Sequence, residues 1–565
     1  MKLKGFLKGN KWQIVVLCLV LLIQCVFISQ KEGYHMDEIL SFQLGNAEYN
    51  PWIVPTQPEG RLAKFIHNEI DGENLGETIG NVVDTVKDVL ENRGNSKLLS
   101  CTADVYDEPV WIDRETFVNY VTVDTSDDFN YLSVYFNVKD DNHPPVHFML
   151  LHTMSSLFKG KVLPFMGCII NVAAVLGICV LFMKLGRLLE THMAGFGGEH
   201  GKKLGLLAAL LYGVNGGAVA TTLLIRMYGV MTFFCVALAY IALKKYLEKD
   251  FEKKNQGLIL VTIFGFWTQY FFLFYCILLA VVLCLLLWRE KRIRELLIYV
   301  RSNVIAAVIG VGVWPFSISH VLSSGRGVEA IENLGNDFGE FLARIVSFGR
   351  LLLERCFGQE LLGVVALLVS LAIVGYASKK VNRKVLLILF VPAVGYYLLA
   401  AKVSPFMVDR YIMPVFPFVM LFIAMAICAI CAKKRLAFGM TVLCMVASIL
   451  GYDGTYLYRG YDKQLAMAKE NAEYPCICLY EGYGFYDNVL EFAEYERTLL
   501  VTPRELLERK NKDSVTELDE FVLLVKQTVN VEDLEKVIEV YNMEVTEVLL
   551  PESAHGDKLY LCKVR

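Results

Sequence analysis

Net charge of either sign is the first thing this 565-residue chain lacks: 55 Lys+Arg stand against 59 Asp+Glu, leaving only −4. A nucleic-acid partner held by an overall basic field is thereby excluded. Prolines are few (15) and the 42 glycines follow no short period, so the chain is not collagen-like, and an apolar share of 55% excludes disorder. Its 15 cysteines form no disulfide framework and no zinc-ligand spacing. Eleven of them sit within or beside apolar stretches, where a thiol behaves as a small hydrophobe. Cys101, Cys476, Cys478 and Cys562 are the others, and Cys476 and Cys478 lie two apart on one face of a predicted strand, poorly placed to bridge each other. Internal repeats, inverted-repeat pairs and low-complexity tracts are also missing.

What remains is a membrane protein. Apolar stretches able to cross a hydrocarbon core of roughly 30 Å run over about 12–30, 163–187, 203–222, 227–243, 257–270, 271–288, 298–315, 361–377, 385–401, 411–431 and 436–452. The count is eleven, with 257–288 divided into two helices. The first stretch has a basic start but no small-x-small site near Gln24 to Ile28, and reads as an uncleaved anchor. Residues 144–158 are apolar but too short to cross, and fit a juxtamembrane helix in the outer leaflet.

The small net charge is a cancellation. Residues 31–143 carry 22 acids and 8 bases, and residues 453–565 carry 23 acids and 13 bases, so the rest of the chain has a surplus of 20 positive charges. That surplus lies in short runs between apolar stretches: Lys2, Lys4, Lys8 and Lys11; Lys184, Arg187, Lys202 and Lys203; Lys244 to Lys254; Arg289 to Arg294; Lys379 to Lys384; Lys433 to Arg435. Short basic loops mark the cytoplasmic face. With the N-terminus inside, strict alternation puts every basic run in the cytoplasm and both acidic blocks outside. The expected organisation is a cytoplasmic N-terminus and first helix (1–30), an extracytoplasmic loop (31–160), a helical transmembrane core (161–452) and a small extracytoplasmic α/β domain (453–565). In the loop, Ile79, Val82, Val83, Val86, Val89 and Leu90 recur at helical spacing. In the last block, short β-type runs alternate with helical ones, one of them starting after Asn530 as cap.

The unusual polar residues fall at outer ends of spans. Tyr34-His35-Met36-Asp37-Glu38 follows the first span, and Asp140-Asp141-Asn142-His143-Pro144-Pro145 stands where the acidic loop returns. Arg226-Met227-Tyr228, Trp267-Thr268-Gln269-Tyr270 and Asp409-Arg410-Tyr411 mark three later outer turns. Singly, each has an ordinary reading. Asp37 and Glu38 suit a solvated helix end, His143 a helix start ahead of two prolines, Arg226 and Arg410 snorkelling cations, and the tyrosines an aromatic belt.

Together, the pieces HMDEILSFQLG, NHPPVHFMLLH, LIRMYGV and DRYIMPVFP resemble the GT-C superfamily of glycosyltransferases, in the branch of protein O-mannosyltransferases and lipid A aminoarabinose transferases. The resemblance covers roughly the first 230 residues well and the later spans loosely. The chain departs from the pattern at Gln269, where many relatives carry His, and in its long first outer loop, and both departures bear on acceptor choice.

The resemblance implies a polytopic α-helical, GT-C-like enzyme that transfers a sugar outside the cytoplasm from a polyprenyl-phosphate-linked donor, with inversion, to a glycan, lipid or protein acceptor. The chain gives its own reason for such a donor: its cytoplasmic loops hold no Gly-rich phosphate-binding turn after a strand, whereas a lipid donor reaches the outer interface through the bilayer. On this reading Asp37 is the general base and Glu38 orients the acceptor or tunes Asp37. Arg226, His143 and Arg410 meet the donor phosphate, and Tyr228, Gln269, Tyr270, Asp141 and Tyr411 line the pocket. A divalent metal at Asp37 and Glu38 is left open. The short basic loops point to a bacterial plasma membrane. The rival readings are a transporter or lipid flippase, against which stand the lack of repeat symmetry and of ionisable residues deep in the spans, and a non-catalytic scaffold.

Overall fold

The computed structural model describes residues 10–49, 65–70, 72, 74–100, 109–192, 199–322, 325–335, 337–377, 382–430, 434–482, 484–508 and 512–565. Lys2, Lys4, Lys8, Cys101, Lys379, Lys380 and Lys433 lie outside the described residues. The chain divides into two compact units: residues 1–30, 142–147 and 167–455 form the first, and 31–141, 148–166 and 456–565 the second.

The first unit is helical. Among the described residues seven helices are long and apolar enough to cross a membrane: Lys11–Ile28, Pro164–His192, Tyr228–Glu248, Phe272–Arg289, Ile293–Val313, Arg383–Val403 and Asp409–Ala429. Two bent pairs raise the number to nine: Lys203–Gly213 with Gly216–Leu223, turning by 57°, and Phe338–Phe357 with Glu360–Tyr376, turning by 89°. Gln256–Thr268 and Phe438–Leu450 are shorter apolar helices. All eleven apolar stretches are therefore helical, while seven to nine meet the length of a span. The outer sides of these helices have no protein to pack on, with Leu361 75% and Val308 67% exposed, as in a bundle whose solvent is lipid. The chain is a multi-pass helical membrane protein.

The breaks have local causes. At the first bend Asn215 caps the new helix, its side chain accepting the Ala218 N–H at 2.7 Å. At the second, Gly358 takes φ +76°, and a Cβ there would sit 2.4 Å from the Ala447 carbonyl oxygen, so only glycine makes this turn. The division of 257–288 is present: the first helix stops at Thr268, Gln269 is extended, and the second begins at Phe272. Phe338–Phe357 was not legible as a span because it is amphipathic, with Arg344, Arg350, Glu354 and Arg355 among its apolar residues.

The second unit is built on a six-stranded sheet of β1 (Trp111–Asp113), β2 (Cys476–Leu479), β3 (Arg497–Val501), β4 (Glu520–Val525), β5 (Met543–Leu550) and β6 (Lys558–Val564), in the order β1-β3-β2-β4-β6-β5. Strand β2 runs parallel to both β3 and β4, with Ile477 opposite Leu499 and Leu523, and the remaining pairings are antiparallel. All four residues of β2 are buried, as in a strand covered on both faces. One face packs Ile477, Leu499, Leu523 and Val501 against Val537 and Tyr541 of the helix that Asn530 caps, Val531–Val540 and the residue after it. Burial pushes the Cys476 and Cys478 thiols up, which keeps them inert. Strand β1 comes from the first acidic block and pairs with β3 of the last, and the Trp111 indole N–H donates to Ser514 Oγ at 3.1 Å. The two blocks that hydropathy separates thus share one sheet. The helix expected around Val82 is Leu75–Asn92, capped by Asn74.

Glu491 is fully buried in this unit, accepting hydrogen bonds from Gln464 Nε2 and Asn488 Nδ2, both at 2.8 Å. Burial pushes its carboxyl up to about 8 from an ordinary 4.5, against the pull of those bonds. The folded state therefore holds a proton that the unfolded state releases, and the stability this provides is lost as pH rises from about 4.5 to 8. Glu491→Gln is expected to remove this slope, leaving the variant more stable than the parent at pH 8.5 by on the order of a few kcal/mol. Thermal unfolding of both proteins at pH 5.5 and 8.5 checks it, and an unchanged difference between the two pH values contradicts it.

Candidate active site

Asp37, Glu38 and Asp141 belong to the second unit, and His143, Arg226, Tyr228, Gln269, Tyr270, Arg410 and Tyr411 to the first.

In the second unit the sequence His35-Met36-Asp37-Glu38 starts the helix Met36–Asn46 through a capping box. His35 Nδ1 accepts the Asp37 N–H at 3.1 Å, and Glu38 Oε2 accepts the His35 N–H at 2.8 Å. Glu38 has no exposed surface, and its carboxylate also takes Lys31 Nζ at 3.0 and 3.2 Å. The same ammonium donates to the Tyr456 carbonyl at 2.8 Å. These contacts make Glu38 part of what holds the helix start. Asp37 differs: its side chain is 20% exposed, with Oδ2 3.6 Å from His35 Nδ1. At a helix N-terminus a carboxylate is favoured, and this one keeps access to water. Asp141 is buried, and its N–H closes a turn onto the Val138 carbonyl at 3.1 Å.

In the first unit the short helix Gly216–Leu223 ends, Leu224 is extended, and Tyr228–Glu248 begins four residues later, so Arg226 sits in a tight turn. Asn171 Nδ2 ties that turn down through the Leu224 carbonyl at 2.7 Å. Gly229 lets it pack closely, since a Cβ there would lie 2.4 Å from Asn171 Oδ1. Arg226 is 3% exposed and directs a terminal N–H at the His143 ring, 3.4 Å from Nε2 and 3.5 Å from Nδ1. A buried guanidinium beside an imidazole is a donor-rich place for an anion.

The other turns gather on the same unit. The rings of Tyr228 and Tyr411 meet edge to face at 5.9 Å, and Phe271 packs on Tyr411 at 5.2 Å. The Tyr411 carbonyl accepts from Tyr396 Oη at 2.9 Å, and the Arg410 guanidinium lies 5.5 Å from the Tyr411 ring centre. Gln269 is buried and turned inward on its own chain, its Oε1 accepting the Tyr270 N–H at 2.6 Å. Tyr270 Oη is held between His320 Nδ1 at 2.9 Å and the Trp314 indole N–H at 2.8 Å.

Several of these holding residues escaped the sequence reading. Arg355 is the foremost: its Nε donates to Asp409 at 2.6 Å, one terminal nitrogen to Asp453 at 2.8 Å, and the other to Thr455 at 2.8 Å. It fixes the residue before Arg410. The available signal was an arginine and an aspartate flanking apolar spans in equal number, which does not identify partners. Lys31 and His320 are of the same kind. Among the described residues no group of three His, Cys, Asp or Glu side chains is arranged to hold a metal.

Solved structures are similar to this chain, among them two of one protein. ArnT from Cupriavidus metallidurans bound to undecaprenyl phosphate matches over 98% of this chain and 98% of its own, with 9% sequence identity and a TM-score of 0.51. ArnT from the same organism in the apo state matches over 80% of this chain and 94% of its own, with 9% identity and a TM-score of 0.47. No family model and no curated protein matches the sequence. The chain shares the fold of the lipid-bound ArnT, the fold that the resemblance of its motifs implied.

Arg355 neutralises a buried carboxylate, since Asp409 is 3% exposed. Arg355→Met strands that charge and is expected to cost about 3–5 kcal/mol. Combining it with Asp409→Asn recovers part of the loss. Unfolding midpoints of the two single variants and the double variant in detergent test this, and strictly additive losses contradict it.

Proposed function

We propose that this protein is a membrane glycosyltransferase that moves a sugar from a polyprenyl-phosphate-linked donor to an acceptor on the extracytoplasmic face. The observation that carries the reading is the match in fold, along almost the whole of both chains, to a protein whose solved structure holds undecaprenyl phosphate. The chemistry of the two motif groups supports it: a buried Arg226 directed at His143 suits a phosphate, and a solvent-accessible Asp37 at a helix start suits a base.

In the proposed reaction the acceptor's hydroxyl or amine attacks the anomeric carbon while Asp37 takes its proton. The bond from that carbon to the phosphate oxygen breaks, and polyprenyl phosphate leaves with the electron pair. Attack from the face opposite the phosphate inverts the anomeric centre. Arg226, His143 and Arg410 stabilise the charge that grows on the phosphate, which needs little protonation to depart. Tyr228, Tyr270, Tyr411, Gln269 and Asp141 shape the surroundings, and Glu38 positions the helix that carries Asp37. The topology that goes with this reaction has eleven spans, a cytoplasmic N-terminus in a bacterial plasma membrane, and both acidic blocks, 31–143 and 453–565, outside. The charge distribution supports that orientation.

Asp37→Asn removes the base and keeps the shape. Release of polyprenyl phosphate, followed in membranes supplied with polyprenyl-phosphate-linked sugars, is expected to fall by about 10²- to 10⁴-fold, with the unfolding midpoint unchanged. Turnover at the parental rate removes Asp37 from the mechanism, and a parent that releases no polyprenyl phosphate from any such donor overturns the function.

A further inference from the structure

The order of the three parallel strands has a consequence for binding. Strand β2 comes first in the chain, β3 pairs with it on one side, and β4 returns to pair on the other. A parallel sheet in which the chain reverses direction this way opens a crevice outside the carboxyl ends of the two strands at the reversal, here β2 and β4, and such crevices are where α/β sheets take ligands. The crevice is present. A cavity of about 720 Å³ is lined from the β2 end by Glu481 and Asp487, from the β4 end by Gln527 and Thr528, from the β5–β6 turn by His555, and by His35. Its size is that of a small-molecule site.

The lining says what fits. Lys526, 2% exposed at its side chain, looks like an anion receptor, but its ammonium is spent on Asp487 at 2.8 Å, Asp557 at 2.7 Å and Asn488 at 2.6 Å. Two carboxylates on one ammonium, with Glu481 beside them, leave the cavity negative, which disfavours a phosphate or a carboxylate. His555 has a side chain only 8% exposed, with Nδ1 3.5 Å from Asp487, while its buried Nε2 has no hydrogen-bond partner among the described residues. Burial holds this imidazole below its usual range, hence neutral, and Tyr458 and Tyr461 flank the ring at 5.4 and 5.8 Å. The carboxylates, amide, hydroxyl and neutral imidazole of the lining are the groups that receive the hydroxyls of an uncharged sugar.

We propose that this cavity binds the acceptor as a neutral, hydroxyl-rich glycan, with His35 as the wall nearest the base. The assignment rests on the glycosyl-transfer reading above and names the substrate class of its second half. The His35 that lines the cavity is the residue whose ring accepts the Asp37 N–H, so a sugar seated here lies against the start of the helix bearing the proton acceptor.

The test uses the full-length protein in detergent with methyl glucopyranoside, methyl galactopyranoside, N-acetylglucosamine and chitobiose as probes, and inorganic phosphate as the contrast. Saturation-transfer NMR gives binding, and titration gives Kd. At least one saccharide is expected to bind the parent. Gln527→Ala, at an exposed position that leaves the fold intact, weakens it at least five-fold, as does His555→Phe, and phosphate does not compete. Asp37→Asn keeps the saccharide while losing donor turnover. Absence of binding by every saccharide, binding indifferent to Gln527→Ala, or displacement by phosphate each overturns the proposal. If donor turnover persists in any of those cases, the transferase reading stands without it. If a saccharide binds through Gln527 but no polyprenyl-linked donor is consumed, the transferase reading falls and the cavity remains a sugar-binding site.

Discussion

The ion pair between Lys31 and Glu38, with neither side chain exposed, is the contact on which the reading of this protein turns. Burying two charges costs more than their attraction returns unless further hydrogen bonds absorb the remaining valences. Here they do: Glu38 also receives the His35 N–H, and Lys31 also donates to the Tyr456 carbonyl. The result ties the segment leaving the first apolar helix, the start of the helix Met36–Asn46 and the segment entering the last acidic block into one rigid point. Asp37 is left as the accessible carboxylate at that point, and His35 contributes both to its cap and to the wall of the cavity at the carboxyl ends of β2 and β4. Burial thereby gives neighbouring carboxylates different surroundings.

A second buried network does the same for the helical unit. Arg355 stands just before the kink of the bent helix pair, and by holding Asp409 and Asp453 it fixes the turn that carries Arg410 and Tyr411. Arg226 is fixed differently, through backbone: Asn171 ties the Leu224 carbonyl, and Gly229 allows the close approach. Both turns then meet through Tyr228 and Tyr411. On the proposed reading, cations carried on turns held in this way lose little freedom when a phosphate binds, as preorganised electrostatic stabilisation requires.

Local patterns were legible in the sequence, and distant pairings were not. The eleven apolar stretches all lie on helices, Asn530 caps the helix after it, and Cys476 and Cys478 share a strand, because each depends on residues a few positions apart. The motif pieces around Asp37, Arg226 and Arg410 stood out because, taken together, they match one family's pattern of short local motifs. What holds them did not stand out: Arg355 reaches Asp453 across 98 positions, and Trp111 bonds Ser514 across 403. No period or composition signals such partners. The amphipathic helix Phe338–Phe357 was missed for a related reason, since a span that turns by 89° into its neighbour need not be apolar all round. Glu38 was grouped with Asp37 because the chain places them side by side, and only burial separates them.

The central claim is that the donor is a lipid-linked sugar, and the most direct measurement is mass spectrometry of the lipids that co-purify with the Asp37→Asn protein after gentle extraction, with and without added polyprenyl-phosphate-linked sugars. The account expects a polyprenyl phosphate bearing a sugar, retained because it binds without being consumed, and lost when Arg226 is also replaced by alanine. Recovery of bulk phospholipid alone under both conditions contradicts it.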